Sequence, residues 1–196
     1  MEERRRFSRI DDSVFLSYKV LDGTPVDEHI KRLEESSGQQ QKLQSAMGEI
    51  DGRINELLPA LEDTLPEVVA MFQLLNSKVS LLSAVVARGG DDNGAGAGLK
   101  PSHKINLSAG GASFHGPDSV RVHDHLEISL TLFPEYYFIK AVGRVVGCRE
   151  ALPSAPEFNK LIAVEWVYLN EDDRRYTVAH VLKKQAEQSR QADKTS

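Results

Sequence analysis

Two short segments carry side chains whose types and spacing could do chemistry. Near the start, Arg4-Arg5-Arg6-Phe7-Ser8-Arg9 forms a basic knot, in which Arg5 and Arg9 stand in an R-x-x-x-R spacing. Such a knot can hold one small anion, because each guanidinium is a planar five-donor fork that pairs bidentately with phosphate oxygens. The spacing alone says little. With 13 Arg in 196 residues it arises by chance about once per chain of this kind, and by itself it reads as a solvated basic terminus. Much further along, Asn106-Leu107-Ser108-Ala109-Gly110-Gly111 fits D/N-x-S-x-x-G. Chance gives roughly 0.1 such matches from this composition. Without context it is a hairpin turn whose glycine supplies a positive φ.

Other candidates carry less. His123-Asp124-His125 looks like a metal clip, but neighbours two apart on one strand give two ligands and no third is evident, so no metal is expected. Ser108 has no evident histidine partner, so a hydrolase would lack its base, and neither enzymatic activity nor a cofactor is expected. Lys183-Lys184 reads as a solvated helix face.

The two motifs together, in this order, resemble the PilZ domain, the receptor module for the bacterial second messenger cyclic di-GMP. The resemblance covers residues 4–21 and roughly 100–182. Glu3-Arg4-Arg5-Arg6-Phe7-Ser8-Arg9-Ile10 is similar to the family's N-terminal run, and Leu107-Ser108-Ala109-Gly110-Gly111-Ala112-Ser113-Phe114 to its second-strand turn. Val142-Gly143-Arg144-Val145-Val146 and Leu161-Ile162-Ala163-Val164-Glu165-Trp166 resemble later strands. The family usually has glycine near Ala163, so the match is looser there. Arg9 and Asn106 are also 97 positions apart, where most members cross in a few tens. That length resembles the tetrameric PilZ variants, in which inserted heptad helices join four chains through a parallel coiled coil.

The resemblance implies a cyclic di-GMP site built from Arg4, Arg5, Arg9, Asn106, Ser108 and Gly111. The arginines would fold over the ligand from a mobile N-terminal segment and pair with phosphate or with guanine O6 and N7. Asn106 and Ser108 would bond a guanine edge or ribose, and Gly111 would let backbone approach closely. Trp166, the single tryptophan, would stack on a guanine as an aromatic does in some family members; the alternative is core packing.

These groups need a scaffold. Residues 13–21 read as a strand, and strands are expected at 102–107, 111–116, 124–132, 136–149 and 159–168. Six short strands suggest a small antiparallel barrel. Between the first and the rest, Leu43, Met47, Ile50, Ile54, Leu57 and Leu61 recur in steps of 4 and 3, a heptad seam. A second seam is Leu65, Val68, Phe72, Leu75, Val79, Leu82 and Val86, widened by Val69, Met71 and Val85. The phase slips between them, and Pro59 and Pro66 place a kink or break near 59–66. For the barrel to close, this excursion must leave and return to nearly the same place, which an even number of helical passes achieves. A face this broad favours self-association through the second seam, with an internal hairpin as the alternative. A helix is expected over 171–190, with Asn170 as its cap.

The expected fold is therefore α+β: a six-stranded PilZ-type barrel, interrupted after its first strand by a helical coiled-coil insertion, with a C-terminal helix. The divisions are an N-terminal arm and first strand at 1–25, an oligomerisation segment at 26–88, a Gly-rich linker at 89–99, the rest of the barrel and the C-terminal helix at 100–185, and a disordered tail at 186–196. Lys+Arg 24 against Asp+Glu 29 leaves a net charge of −5, which disfavours a nucleic-acid binder. No 18-residue apolar run occurs, so no membrane insertion is expected, and the opening lacks the apolar run of a secretory signal. One cysteine, Cys148, excludes a disulfide framework and fits a reducing cytoplasm. The expected function is a cyclic di-GMP receptor, homo-oligomeric with a tetramer favoured, signalling to a downstream protein partner. The alternative is a PilZ-like scaffold that binds no ligand and acts through oligomerisation.

Overall fold

A computed structural model of the chain describes residues 8–22, 25–87, 100–150 and 159–195. Its elements are β1 (Arg9–Val20), α1 (Val26–Glu62), α2 (Pro66–Ala87), β2 (His103–Ser108), β3 (Gly111–Gly116), β4 (His125–Leu132), β5 (Tyr137–Glu150), β6 (Lys160–Leu169) and α3 (Glu171–Thr195). The strands form a closed antiparallel barrel in the order β1-β2-β3-β6-β5-β4, so no sheet edge is left to template pairing with another chain. The architecture is the expected α+β barrel with helices inserted after its first strand.

Alternation explains the core. Along β1, Ile10, Val14 and Leu16 point inward, as do Ile105 and Leu107 of β2, Phe114 of β3 and Ile162, Val164 and Trp166 of β6. The intervening residues form the outer face, as a period of two requires. β1 serves two neighbours: Arg9 to Val14 pair with β2, and Phe15 to Val20 pair with β4. Where it changes partner, Ser102 Oγ accepts the Leu16 amide at 3.1 Å.

β1 starts at Arg9, four residues before the expected strand. Asp11 and Asp12 are poor strand formers, and their types hid this extension. Tertiary partners hold both in place. At the other end, α3 continues to Thr195, through the stretch from 186 expected as a disordered tail. Its Gln, Ala, Glu, Arg and Lys side chains favour helix. Asn170 caps it as expected, its Oδ1 accepting the Asp172 amide at 2.8 Å.

The insertion is two helices, separated at residues 63–65 within the expected break. Pro59 lies in α1 near its end, and Pro66 opens α2. α1 is rooted on the barrel by His29, whose Nε2 is 2.5 Å from Glu127 Oε2 on β4. Along α2, Val69 is buried, whereas the seam residues Leu65, Val68, Phe72, Leu75, Val79 and Leu82 are exposed. Packing within the chain therefore uses a stripe offset from the heptad seam. The Val86 side chain and the Gly-rich linker at 89–99 lie outside what is described.

Candidate functional site

The barrel register brings the two distant motifs side by side. Arg9 pairs with Ser108 across β1 and β2, and Asp11 pairs with Asn106. Ser108 in turn faces Gly111 across the β2–β3 turn. Arg9 is exposed and is the first residue of β1 rather than part of a loose segment before it. Arg4 and Arg5 lie outside the described residues.

Asn106 has a partner that sequence reading missed. Its Nδ2 donates to Asp11 Oδ1 at 2.8 Å, which orients the amide and leaves its oxygen to accept from a ligand. The signal was Asp11 itself, two residues after Arg9, but without the strand register nothing connects it to position 106.

The Ser108–Gly111 turn is held from every side. Trp166 Nε1 donates to Ser108 O at 3.3 Å, Arg174 Nη1 to Ala109 O at 2.9 Å, the Trp166 amide to Gly110 O at 3.1 Å and Ser108 Oγ to Gly111 O at 3.0 Å. Four consecutive carbonyls are thus satisfied, and the loop is pre-organised rather than pliable. Ser108 is buried. Its hydroxyl also accepts the Gly110 amide at 3.3 Å, so it shapes the turn from within.

Gly111 is required by the sheet. A Cβ there would sit 2.1 Å from Val164 O on β6, so the close approach that excludes a side chain is between two strands. Trp166 is 8% exposed and belongs to the core cluster. Its ring packs where the core alternative placed it, and its indole N–H braces the turn from beneath.

α3 grips both motifs. Besides Arg174 at the turn, Gln185 Nε2 donates to Arg9 O at 3.0 Å. On the same helix, Asp173, Thr177, His180 and Val181 are buried, at spacings that share one helical face. His180 Nε2 meets Asp12 Oδ2 at 2.6 Å, while the Ser13 amide and Lys184 Nζ reach Asp12 Oδ1 at 2.9 and 3.6 Å. Burial pushes the Asp12 carboxyl up, but its hydrogen bond and charge interaction with His180, helped by Lys184 and the Ser13 amide, outweigh this and leave it below its ordinary value of 3.8. Lower on the helix, Tyr137 Oη donates to Asp173 Oδ1 at 3.0 Å. Burial is the main cause pushing Asp173 up to about 6, and burial with the Asp173 charge raises the Tyr137 phenol.

A cleft of about 740 Å³ lies beside this contact, lined among others by Asp11, Asp12, Lys104, Glu135, His180 and Lys183. Neither Arg9, which is exposed, nor Asn106, which is partly exposed, lines it. His123 lies in a turn with a φ of 79° rather than on a strand with His125, and Asp124 Oδ2 accepts the Arg121 amide at 2.8 Å. Among the described residues, no three His, Cys, Asp or Glu side chains gather as metal ligands.

The sequence profile of the PilZ domain matches residues 79–183, more than half of the chain. This chain belongs to the PilZ domain family. The match begins within α2 and omits β1. No curated protein matches the chain. Among solved structures it is similar to a tetrameric PilZ domain protein from Xanthomonas campestris, self-assembled through a helical bundle, at 12% identity over 95% of this chain and 93% of that one, with a TM-score of 0.48. It is also similar to the Bacillus subtilis inhibitor of motility MotI/DgrA (17% identity, 43% of this chain and 42% of that one, TM-score 0.38). A third similar structure is the PilZ domain of Escherichia coli YcgR with c-di-GMP (10% identity, 48% and 78%, TM-score 0.35). Among the described residues, no helix of this PilZ protein is long and apolar enough to cross a membrane.

Proposed function

We propose that this PilZ protein is a cytoplasmic receptor for cyclic di-GMP, oligomerised through its inserted helices and signalling to a downstream protein. The observation that carries the reading is the pairing of Arg9 with Ser108. It puts the second arginine of R-x-x-x-R on the strand next to N-x-S-x-x-G, although 97 positions separate Arg9 from Asn106. Arg4 and Arg5 would complete the cationic side as the segment before β1 closes over the ligand. Asn106, oriented by Asp11, accepts from a guanine or ribose. Ser108, Gly111 and Trp166 hold the turn that forms the floor. Each charge-assisted hydrogen bond contributes about 1.5–3 kcal/mol, offset by about 1–2 kcal/mol per residue ordered.

Residues 26–88 form the oligomerisation segment in this reading, and a tetramer fits best. An apolar seam along α2 exposed in a single chain needs more than one partner helix to cover it. Titration calorimetry with cyclic di-GMP, on wild type beside Arg5→Ala/Arg9→Ala, tests the ligand half. Wild type binds at micromolar protein, and the double variant loses tenfold or more. No heat with wild type rejects it. The exposed seam, which lies apart from the motifs, favours a second reading, in which the barrel is a scaffold and only the assembly acts. Masses measured with and without the dinucleotide separate the two.

A further inference from the structure

The outer face of the barrel extends the motif across five strands. The registers place Arg9, Ser108, Gly111, Glu165 and Arg144 in one cross-strand row. Asp11, Asn106, Ser113, Ala163 and Gly147 form the next row. In the second row the residues on β3, β6 and β5 are Ser, Ala and Gly, all partly exposed. Even a Cβ at position 147 would only reach ordinary contact with Ala163 Cβ, at 3.9 Å. The result is a small-residue floor beside the Ser108–Gly111 turn, bounded on β5 by a bulge that carries the exposed Val146. Because position 111 has no side chain, nothing stands in the first row between Ser108 and Glu165. Arg9 and Glu165 are three strand spacings apart, about 14 Å, a span two long side chains can cover from either end of a ligand with two bases.

In the first row, alongside Ala163 and Gly147 of the floor, Arg144 Nη2 donates to Glu165 Oε2 at 3.2 Å, and both side chains are about half exposed. The guanidinium fixes the carboxylate and offsets its charge toward a ligand bearing two phosphates. A carboxylate offers two acceptors in a plane. The Watson–Crick edge of guanine offers two donors in a plane, N1–H and the 2-amino group. Adenine presents an acceptor at N1, which opposes a carboxylate lone pair. A site built to hydrogen-bond one such edge rejects the other strongly, because its polar groups would be left unpaired.

Resting on the reading of this face as a cyclic di-GMP site, we propose that Glu165, steered by Arg144, reads the Watson–Crick edge of a guanine seated on the Ser113–Ala163–Gly147 floor. Glu165 is then the residue that sets guanine over adenine. The alternative is an exposed cross-strand ion pair with no ligand to read.

The test titrates the full chain with cyclic di-GMP and with cyclic di-AMP, comparing wild type, Glu165→Gln, Arg144→Ala and Arg9→Ala. Gln replaces one of the two acceptors with a donor. Glu165→Gln is expected to weaken cyclic di-GMP binding tenfold or more and leave cyclic di-AMP binding unchanged, so the preference narrows while the thermal midpoint stays within a degree or two of wild type. Arg144→Ala shifts the preference the same way by less, and Arg9→Ala weakens both dinucleotides. If Glu165→Gln keeps the wild-type affinity and preference while Arg9→Ala loses binding, Glu165 is no reader and the site reading stands. If wild type binds neither dinucleotide, both proposals are overturned.

Discussion

His180 Nε2 lies 2.6 Å from Asp12 Oδ2, with both side chains buried between α3 and the first strand of the barrel. Asp12 has the strand parity of the core residues Ile10 and Val14, so a carboxylate points where an apolar side chain would ordinarily sit. It stays there because α3 brings a histidine, a lysine and the turn of the helix over it.

Removing His180 leaves the buried Asp12 carboxylate held only by the Ser13 amide and by Lys184 at 3.6 Å. His180→Ala is therefore expected to cost about 1–3 kcal/mol in urea or thermal unfolding. It should also release the grip of Gln185 on Arg9 and of Arg174 on Ala109, and so weaken ligand binding without touching a ligand contact. A loss under about 1 kcal/mol, the size of a typical net hydrogen bond, would show that the pair does not hold α3 down.

Two buried carboxyls, Asp12 on β1 and Asp173 on α3, bend the pH profile in opposite directions. Asp173 titrates near 6 in the folded chain against an ordinary 3.8, so between those values the folded state binds the proton more tightly. Stability from this group rises as pH falls from about 6 toward 4, by up to about 3 kcal/mol. Asp12 is held below its ordinary value, so its contribution is present above pH 3.8 and is lost as pH falls further, through its folded value. Asp173→Asn keeps an acceptor for Tyr137 and should stabilise the chain at pH 7.5 while barely changing it at pH 4. Urea midpoints at the two pH values give the difference; an equal effect at both would refute the assignment.

Much of this was legible in advance, for reasons particular elements make clear. Leu126, Ile128, Leu130 and Leu132 alternate cleanly, and β4 lies within one residue of its expected place. The phase slip between Leu61 and Leu65, flanked by prolines, marked the helix break because two seams out of register cannot share one straight helix. Illegible were the features that depend on partners far along the chain. Asp11-Asp12 argue against a strand until Asn106 and His180 are placed beside them. The close approach at Gly111 belongs to Val164, on another strand. The bonds from Arg174 and Gln185 exist only once α3 is laid across β1 and the β2–β3 turn.

Gly111 makes a sharper case of the same kind. Gly111→Ala puts a methyl group 2.1 Å from the Val164 carbonyl, backbone against a fixed position, so β3 and β6 must part. A loss of about 3 kcal/mol or more is expected, at the upper end of what overpacking costs. Gly147→Ala, which meets only Ala163 Cβ at 3.9 Å, should cost under about 1 kcal/mol. If Gly111→Ala folds as stably as wild type and fails only to bind ligand, the glycine serves the ligand rather than the sheet.

The helical insertion is separable from the barrel by a measurable criterion. β1 ends at Val20, while Ser102, just before β2, bonds Val14 and Leu16, so a shortened connection must run back along about six residues of β1, roughly 20 Å. Joining Leu21 directly to Leu99 leaves five peptide steps from Val20 to Ser102, at most about 17 Å, which is too tight. Joining Leu21 to Gly94 leaves ten steps, about 35 Å at full stretch, and closes the loop without strain. This shortened chain is expected to be a folded monomer by light scattering, and to bind cyclic di-GMP within about threefold of wild type. In the full chain, Phe72→Asp/Leu75→Asp places two charges on the exposed seam and should dissociate the oligomer while leaving the barrel intact. If the shortened chain remains oligomeric, the barrel itself carries the interface, and the seam on α2 has some other occupant.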